Sequence, residues 1–112
     1  MQMQTSSADG IAEIKLSGRL DLNGTQTISD KFAFATTTRK GNIVVDLSEV
    51  TFIASIGIRL LLTSARAQAT RGGKVILAAA QPMVLKVLEA AGVDQLITLT
   101  ADVQAARQSF GG

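Results

Sequence analysis

Two rhythms of apolar and polar residues run along this chain, and the switches between them mark its elements. Ala12, Ile14, Leu16 and Gly18 alternate with Ile11, Glu13, Lys15 and Ser17. That period of two predicts a strand with the first set facing a core and the second, Ile11 excepted, facing solvent. Asp9-Gly10 is a strong two-residue hairpin signal, so the polar segment Met1 to Ser7 before it becomes a candidate edge strand. Gly18 to Gly24 reads as a loop carrying Arg19, Asp21 and Asn23. From about Thr25 to Lys40 the rhythm turns helical, with Ile28, Phe32 and Ala35 on one face. The β-branched run Thr36-Thr37-Thr38 weakens the end of that helix. Arg39 and Lys40 suit a helix C-terminus, and Gly41 suits the residue after it.

Beyond Gly41 the pattern alternates between short apolar runs and helical stretches. Ile43-Val44-Val45, within Asn42 to Leu47, reads as a strand buried on both faces. A second apolar stretch, Val50 to Ile53, leads into Ala54-Ser55-Ile56-Gly57. The helix that follows places Ile58, Leu61, Leu62, Ala65 and Ala69 on one face and Arg59, Thr63, Arg66 and Thr70 mainly on the other. Arg71-Gly72-Gly73-Lys74 ends it, and Val75-Ile76-Leu77 is the next buried strand. Pro82 and Gly92 bracket a helix with Val84, Val87, Leu88 and Ala91 as its inner stripe. Leu96 to Leu99 predicts one more strand. Thr100 is the expected cap of a last helix, with Asp102 in its first turn and Val103, Ala106 and Phe110 inward.

The predicted order is β-β-α-β-α-β-α-β-α, which implies one α/β domain over residues 1–112 with a mixed, mostly parallel sheet, an N-terminal hairpin and about four helices. The length of 112 residues fits a single domain, and no internal repeat, linker or low-complexity segment interrupts it. Composition then narrows the chemistry. The chain has no His, Cys, Trp or Tyr, so no Ser-His-Asp or Cys-His relay can be assembled and a zinc site could draw only on carboxylates. No catalytic residue, metal or cofactor is expected. Eleven basic residues against nine acidic ones leave a net charge of +2. The basic residues are dispersed, and none of the four Phe is interleaved with a basic cluster, which argues against nucleic acid as a partner. No apolar run approaches the roughly 18–20 residues that cross a bilayer, and no secretory signal is visible. A cytoplasmic protein without membrane insertion is expected. Gly72-Gly73-Lys74 lacks the earlier glycine of a phosphate-binding loop and leads into a strand, so it reads as a turn.

One segment carries more than structure. Asp46-Leu47-Ser48-Glu49-Val50-Thr51-Phe52-Ile53-Ala54-Ser55-Ile56-Gly57 resembles the central signature of the STAS family, D-L-S-x-V-x-apolar-apolar-D-S-[ST]-G. Gly18-Arg19-Leu20-Asp21, Gly72-Gly73-Lys74 and the Pro82-to-Gly92 helix extend the resemblance over nearly the whole chain. It is similar to the anti-sigma-factor antagonist branch in particular. There, the resemblance implies, the serine at the position of Ser55 accepts phosphate from a partner serine kinase that doubles as anti-sigma factor. A PP2C-type phosphatase resets it, and the acidic residue at the position of Asp21 lies beside that site. The expected contact residues are Asp21, Asn23, Thr25, Ala54, Ser55, Ile56, Gly57 and Arg59. Two positions depart from the signature: Ala54 replaces its Asp, and Ile56 replaces its Ser or Thr.

Elementary electrostatics favours the same place. A helix beginning at Ser55 would present free backbone N–H groups and about half a positive charge to a bound phosphate. Phosphorylation adds about −1.5 to −2 charges, which Asp21 and a desolvated interface rim would disfavour. On spacing alone, however, Ser55 reads as an N-cap and Asp21 as a solvated turn residue. Ala54 and Ile56 favour a second expectation, a constitutive, unphosphorylated STAS subunit of a stressosome-like scaffold or lipid-transport complex. A lipid or small-ligand module finds no polar pocket in the pattern, and an enzyme using Ser55 with a lysine base finds no lysine placed beside it.

Overall fold

The computed structural model describes residues 1–37 and 41–111. Its elements are β1 (Gln2–Ala8), β2 (Ile11–Leu20), α1 (Leu22–Thr37), β3 (Asn42–Ile53), α2 (Ser55–Thr70), β4 (Lys74–Ala78), α3 (Pro82–Ala90), a 3-10 turn at Val93–Gln95, β5 (Thr98–Thr100) and α4 (Val103–Gly111). The expected basic helix end at Arg39 and Lys40 lies outside the described residues. Five strands form one sheet in chain order, β1-β2-β3-β4-β5. The first pair is antiparallel and the others are parallel. The hairpin forms where Asp9-Gly10 predicts it, with both residues at positive φ (56° and 77°), the conformation a two-residue type I′ turn requires.

Strand order decides where the helices go. Right-handed crossovers that always step the same way across a sheet deliver every connecting helix to the same face. Accordingly, residues from α1, α2 and α3, such as Phe32, Leu61, Val84 and Leu88, share one buried cluster with Ile14, Leu16, Ile43, Val45 and Leu77. The opposite face is left to α4, whose Ala106 packs with Val44, Ile76 and Ala78. The β-branched runs are therefore buried on both sides, as their lack of alternation predicts.

Several expectations are corrected. β2 continues through Leu20 and α1 begins at Leu22, so the expected loop at 18–24 is half strand and half helix. The two apolar stretches of residues 42–53 are one twelve-residue strand. Register shifts in the β2–β3 pairing absorb the polar interruption at Ser48-Glu49, while Asp46 Oδ1 accepts the Ser48 N–H at 2.9 Å. On α2 the buried line is Gly57, Leu61, Ser64 and Gln68, whereas Ala69 is exposed. Gln68 is held inward because its amide donates to the Gly41 carbonyl (2.8 Å) and its oxygen accepts from Arg71. Val87 and Ala91 face solvent, because α3 ends at Ala90 and its stripe of Val84 and Leu88 continues into Val93 and Ile97. The last strand is Thr98–Thr100, since residues 93–95 make a 3-10 turn and leave Leu96 exposed. Asp102, not Thr100, caps α4: its carboxylate accepts the Ala105 N–H at 2.7 Å.

Candidate functional site

The site forms where two neighbouring strands stop together. Leu20 and Ile53 are paired at the ends of β2 and β3, and the Ala54 N–H donates to the Leu20 carbonyl at 2.9 Å. The chain leaves the sheet at this point twice, into α1 after Asp21 and into α2 after Ala54, so the N-termini of both helices sit at the same end. Glycines permit the crowding. A Cβ on Gly57 would lie 3.0 Å from both Leu20 Cβ and the Leu20 carbonyl, and one on Gly24 would land on the Arg19 carbonyl oxygen.

Asp21 is the N-cap of α1. Its Oδ1 accepts the Gly24 N–H at 2.8 Å, its carbonyl accepts the Thr25 N–H at 2.9 Å, and Oδ2 meets Arg19 Nε at 3.3 Å. The Gly24 amide, with help from the Arg19 guanidinium, holds this carboxyl below its ordinary value of 3.8 despite partial desolvation. Ser55 is placed differently from its expected capping role. Ala54, with extended φ and ψ of −106° and 172°, is the N-cap of α2, without any side-chain cap. Ser55 is the first helical residue and is exposed. The intrahelical ladder starts with Ile58 N–H to the Ala54 carbonyl (3.1 Å), which leaves the amides of Ser55, Ile56 and Gly57 as first-turn donors.

The other expected contact residues divide. Asn23 and Arg59 are exposed, and Ala54 and Ile56 are half-buried. Thr25 and Gly57 are buried and offer little side-chain surface; the Thr25 hydroxyl has no hydrogen-bond partner among the described residues. Ile56, Arg59 and Leu60 line a shallow groove of about 250 Å³ against Gln26 and Ser29 of α1. Three residues that sequence reasoning left out also belong to this end. Arg19 lies over the Phe52 ring at 4.3 Å, Phe52 is exposed, and so is Leu22. The available signal was Phe52 at an outward position of β3, beside an arginine on the neighbouring strand.

A sheet of this order, three crossover helices on one face, and a serine opening the helix after the central strand together define a STAS-type α/β domain. The chain belongs to that family: its sequence model described as "Mlab, STAS domain" matches residues 3–99. Among solved structures it is similar to an anti-sigma factor antagonist from Mycobacterium paratuberculosis. That match has a TM-score of 0.91 and 19% identity over 99% of this chain and 94% of the other. It is also similar to the Bacillus cell fate determinant SpoIIAA in its phosphorylated form (TM-score 0.71, 22% identity, 96% and 99% covered). A third likeness is to the murine solute carrier 26 family member A9 anion transporter (TM-score 0.80, 16% identity). There 95% of this chain matches 18% of the transporter. At these identities the likeness describes the fold, and that fold serves regulators and transporters alike.

Proposed function

We propose that this domain is a non-enzymatic, anti-sigma-factor antagonist-like regulator. In this reading it binds an anti-sigma factor with serine-kinase activity through the Asp21–Ser55 end of the sheet and is released by phosphorylation of Ser55. The observation that carries the reading is the placement of Ser55: exposed, not used as a cap, and at the first turn of α2 with unpaired amides beside it. Strand order supports a flat contact over a ligand cleft. The order never reverses, so there is no switch-point crevice of the kind that receives small ligands in open α/β sheets. Exposed Leu22, Phe52 and Arg59 around the hydroxyl suit a protein surface, where aromatic and arginine side chains are enriched. Phosphate on Ser55 brings about −1.5 to −2 charges to an end that already holds the ionised Asp21, and a bound partner is repelled. A PP2C-type phosphatase then restores the binding state.

The test is phosphotransfer from the partner kinase with Mg-ATP. Trypsin releases residues 41–59 as one peptide containing Ser48, Thr51 and Ser55, and fragmentation assigns the site. Ser55 is expected to be modified stoichiometrically, Ser55→Ala to bind and ignore ATP, and Ser55→Asp to release only in part, since one carboxylate carries less charge than phosphate. Phosphate at Ser48 or nowhere, with Ser55→Ala and Ser55→Asp bound alike, would refute the switch.

A second reading, an unphosphorylated subunit of a scaffold or lipid-transport assembly, is favoured by two observations. Ala54 and Ile56 remove polar groups on either side of Ser55, and the matching family model carries the description "Mlab, STAS domain". The same experiment separates the two readings, because a constitutive subunit keeps its partner in the presence of Mg-ATP.

A further inference from the structure

The two edges of this sheet are built differently. β5 closes one side with three residues, and shortness is one of the devices that keep sheet edges from pairing with other chains. The others are lysine or proline on the edge, a bulge, or a covering element. β1 closes the other side with seven residues and, among the described residues, uses none of these. Residues 2–8 contain no charge and no proline. The pairing with β2 runs without a break from Gln2↔Ser17 to Ala8↔Ile11, and every residue but Met3 is exposed.

The hairpin fixes which backbone groups point outward. Across a two-residue turn the flanking residues, here Ala8 and Ile11, form a hydrogen-bonded pair. Counting back by two, Ala8, Ser6, Gln4 and Gln2 direct their N–H and C=O groups to β2. Ser7, Thr5 and Met3 direct theirs away from the sheet. Among the described residues no other strand pairs with that edge, and no loop or turn backbone bonds to these groups. These three residues are symmetric about Thr5, which is also the midpoint of β1.

We propose that β1 pairs with β1 of a second copy of this chain, antiparallel and centred on Thr5, to join two sheets into one. In that register Thr5 faces Thr5 of the second copy and Met3 faces its Ser7, all as hydrogen-bonded pairs. Every outward donor then meets an outward acceptor, and the strand's neutrality places no like charges opposite each other. One two-fold point satisfies the backbone groups and the strand's midpoint together. A foreign strand would not require that coincidence, which is why the occupant is assigned as a second copy. The pairing is weak and concentration-dependent, because one strand pair covers less than the roughly 1,600 Å² of a standard interface.

The cysteine-free sequence gives a clean test. Under oxidation Thr5→Cys is expected to yield a covalent dimer, because the Cα atoms of a hydrogen-bonded pair stand about 5.5 Å apart, within disulfide reach. Ser7→Cys is expected to remain monomeric, since the two copies of position 7 are offset by four residues, roughly 14 Å. Sedimentation of the unmodified chain up to hundreds of micromolar should show the mass rising towards double. Thr5→Lys, which sets two ammonium groups face to face, should abolish that rise at low salt. A single-chain mass at the highest concentration, equal cross-linking of the two cysteine variants, or a Thr5→Lys chain that associates like its parent would each overturn the proposal. The cysteine pair still decides if Thr5→Lys alone folds poorly.

Discussion

Asp21 shows how one carboxylate can tie sequence, capping and charge together. Its bonds to the Gly24 amide and to Arg19 favour the ionised form in the folded state and lower its pKa below the ordinary 3.8. A group whose folded pKa is depressed stabilises the fold above its unfolded pKa and loses that contribution as pH falls through the folded value. The thermal midpoint is therefore expected to hold near neutrality and to drop below pH 3.8. In Asp21→Asn, which keeps a capping oxygen but no charge, this part of the acid limb should flatten; an acid limb identical to the parent's would remove Asp21 as its source. Gly57 carries a steric argument at the same scale. Adding a methyl there presses on Leu20 and Ile53, so Gly57→Ala is expected to cost about 1–3 kcal/mol in urea unfolding. It should also loosen the α2 start that presents Ser55.

At the scale of elements, the sequence made the runs legible and concealed many of the ends. Ile43-Val44-Val45 and Val75-Ile76-Leu77 are buried on both faces as read, because β-branched runs without alternation have few other places to go. Boundaries failed where a polar side chain did a local task. Asp21 and Asp102 cap helices from positions read as loop and first turn, because a short carboxylate serves equally well in a turn. The location of Ser55 at the start of α2 was legible from its signature. Its release from capping was not, since nothing in the sequence says that Ala54 takes the extended cap conformation. The inward turn of Gln68 was equally hidden, because its partner is a backbone carbonyl 27 residues away. Replacing it by Leu leaves that Gly41 oxygen without its donor, and a loss of about 1–3 kcal/mol is expected in chemical denaturation.

At the scale of the whole molecule the two faces of the sheet carry unequal cover. Three helices share the larger cluster, while among the described residues α4 alone covers the other face, with Ala106 fully buried against Val44, Ile76 and Ala78. A carboxylate placed there is buried against the apolar side chains of Val44, Ile76 and Ala78. Ala106→Asp is therefore expected to lower stability by at least about 2 kcal/mol, read as a shift in the urea midpoint at unchanged slope. A midpoint within error of the parent's would mean that α4 is dispensable.

The order of strands has a consequence for how the molecule comes into being. Since the spatial sequence β1-β2-β3-β4-β5 repeats the chain sequence, no strand has to be threaded between two that are already joined. As the chain leaves the ribosome, at roughly 5–20 residues per second, each new strand can add to the edge laid down just before it. Its crossover helix can settle on the one waiting face. The sheet can thus grow in one direction during synthesis, with α4 arriving last to close the side left bare.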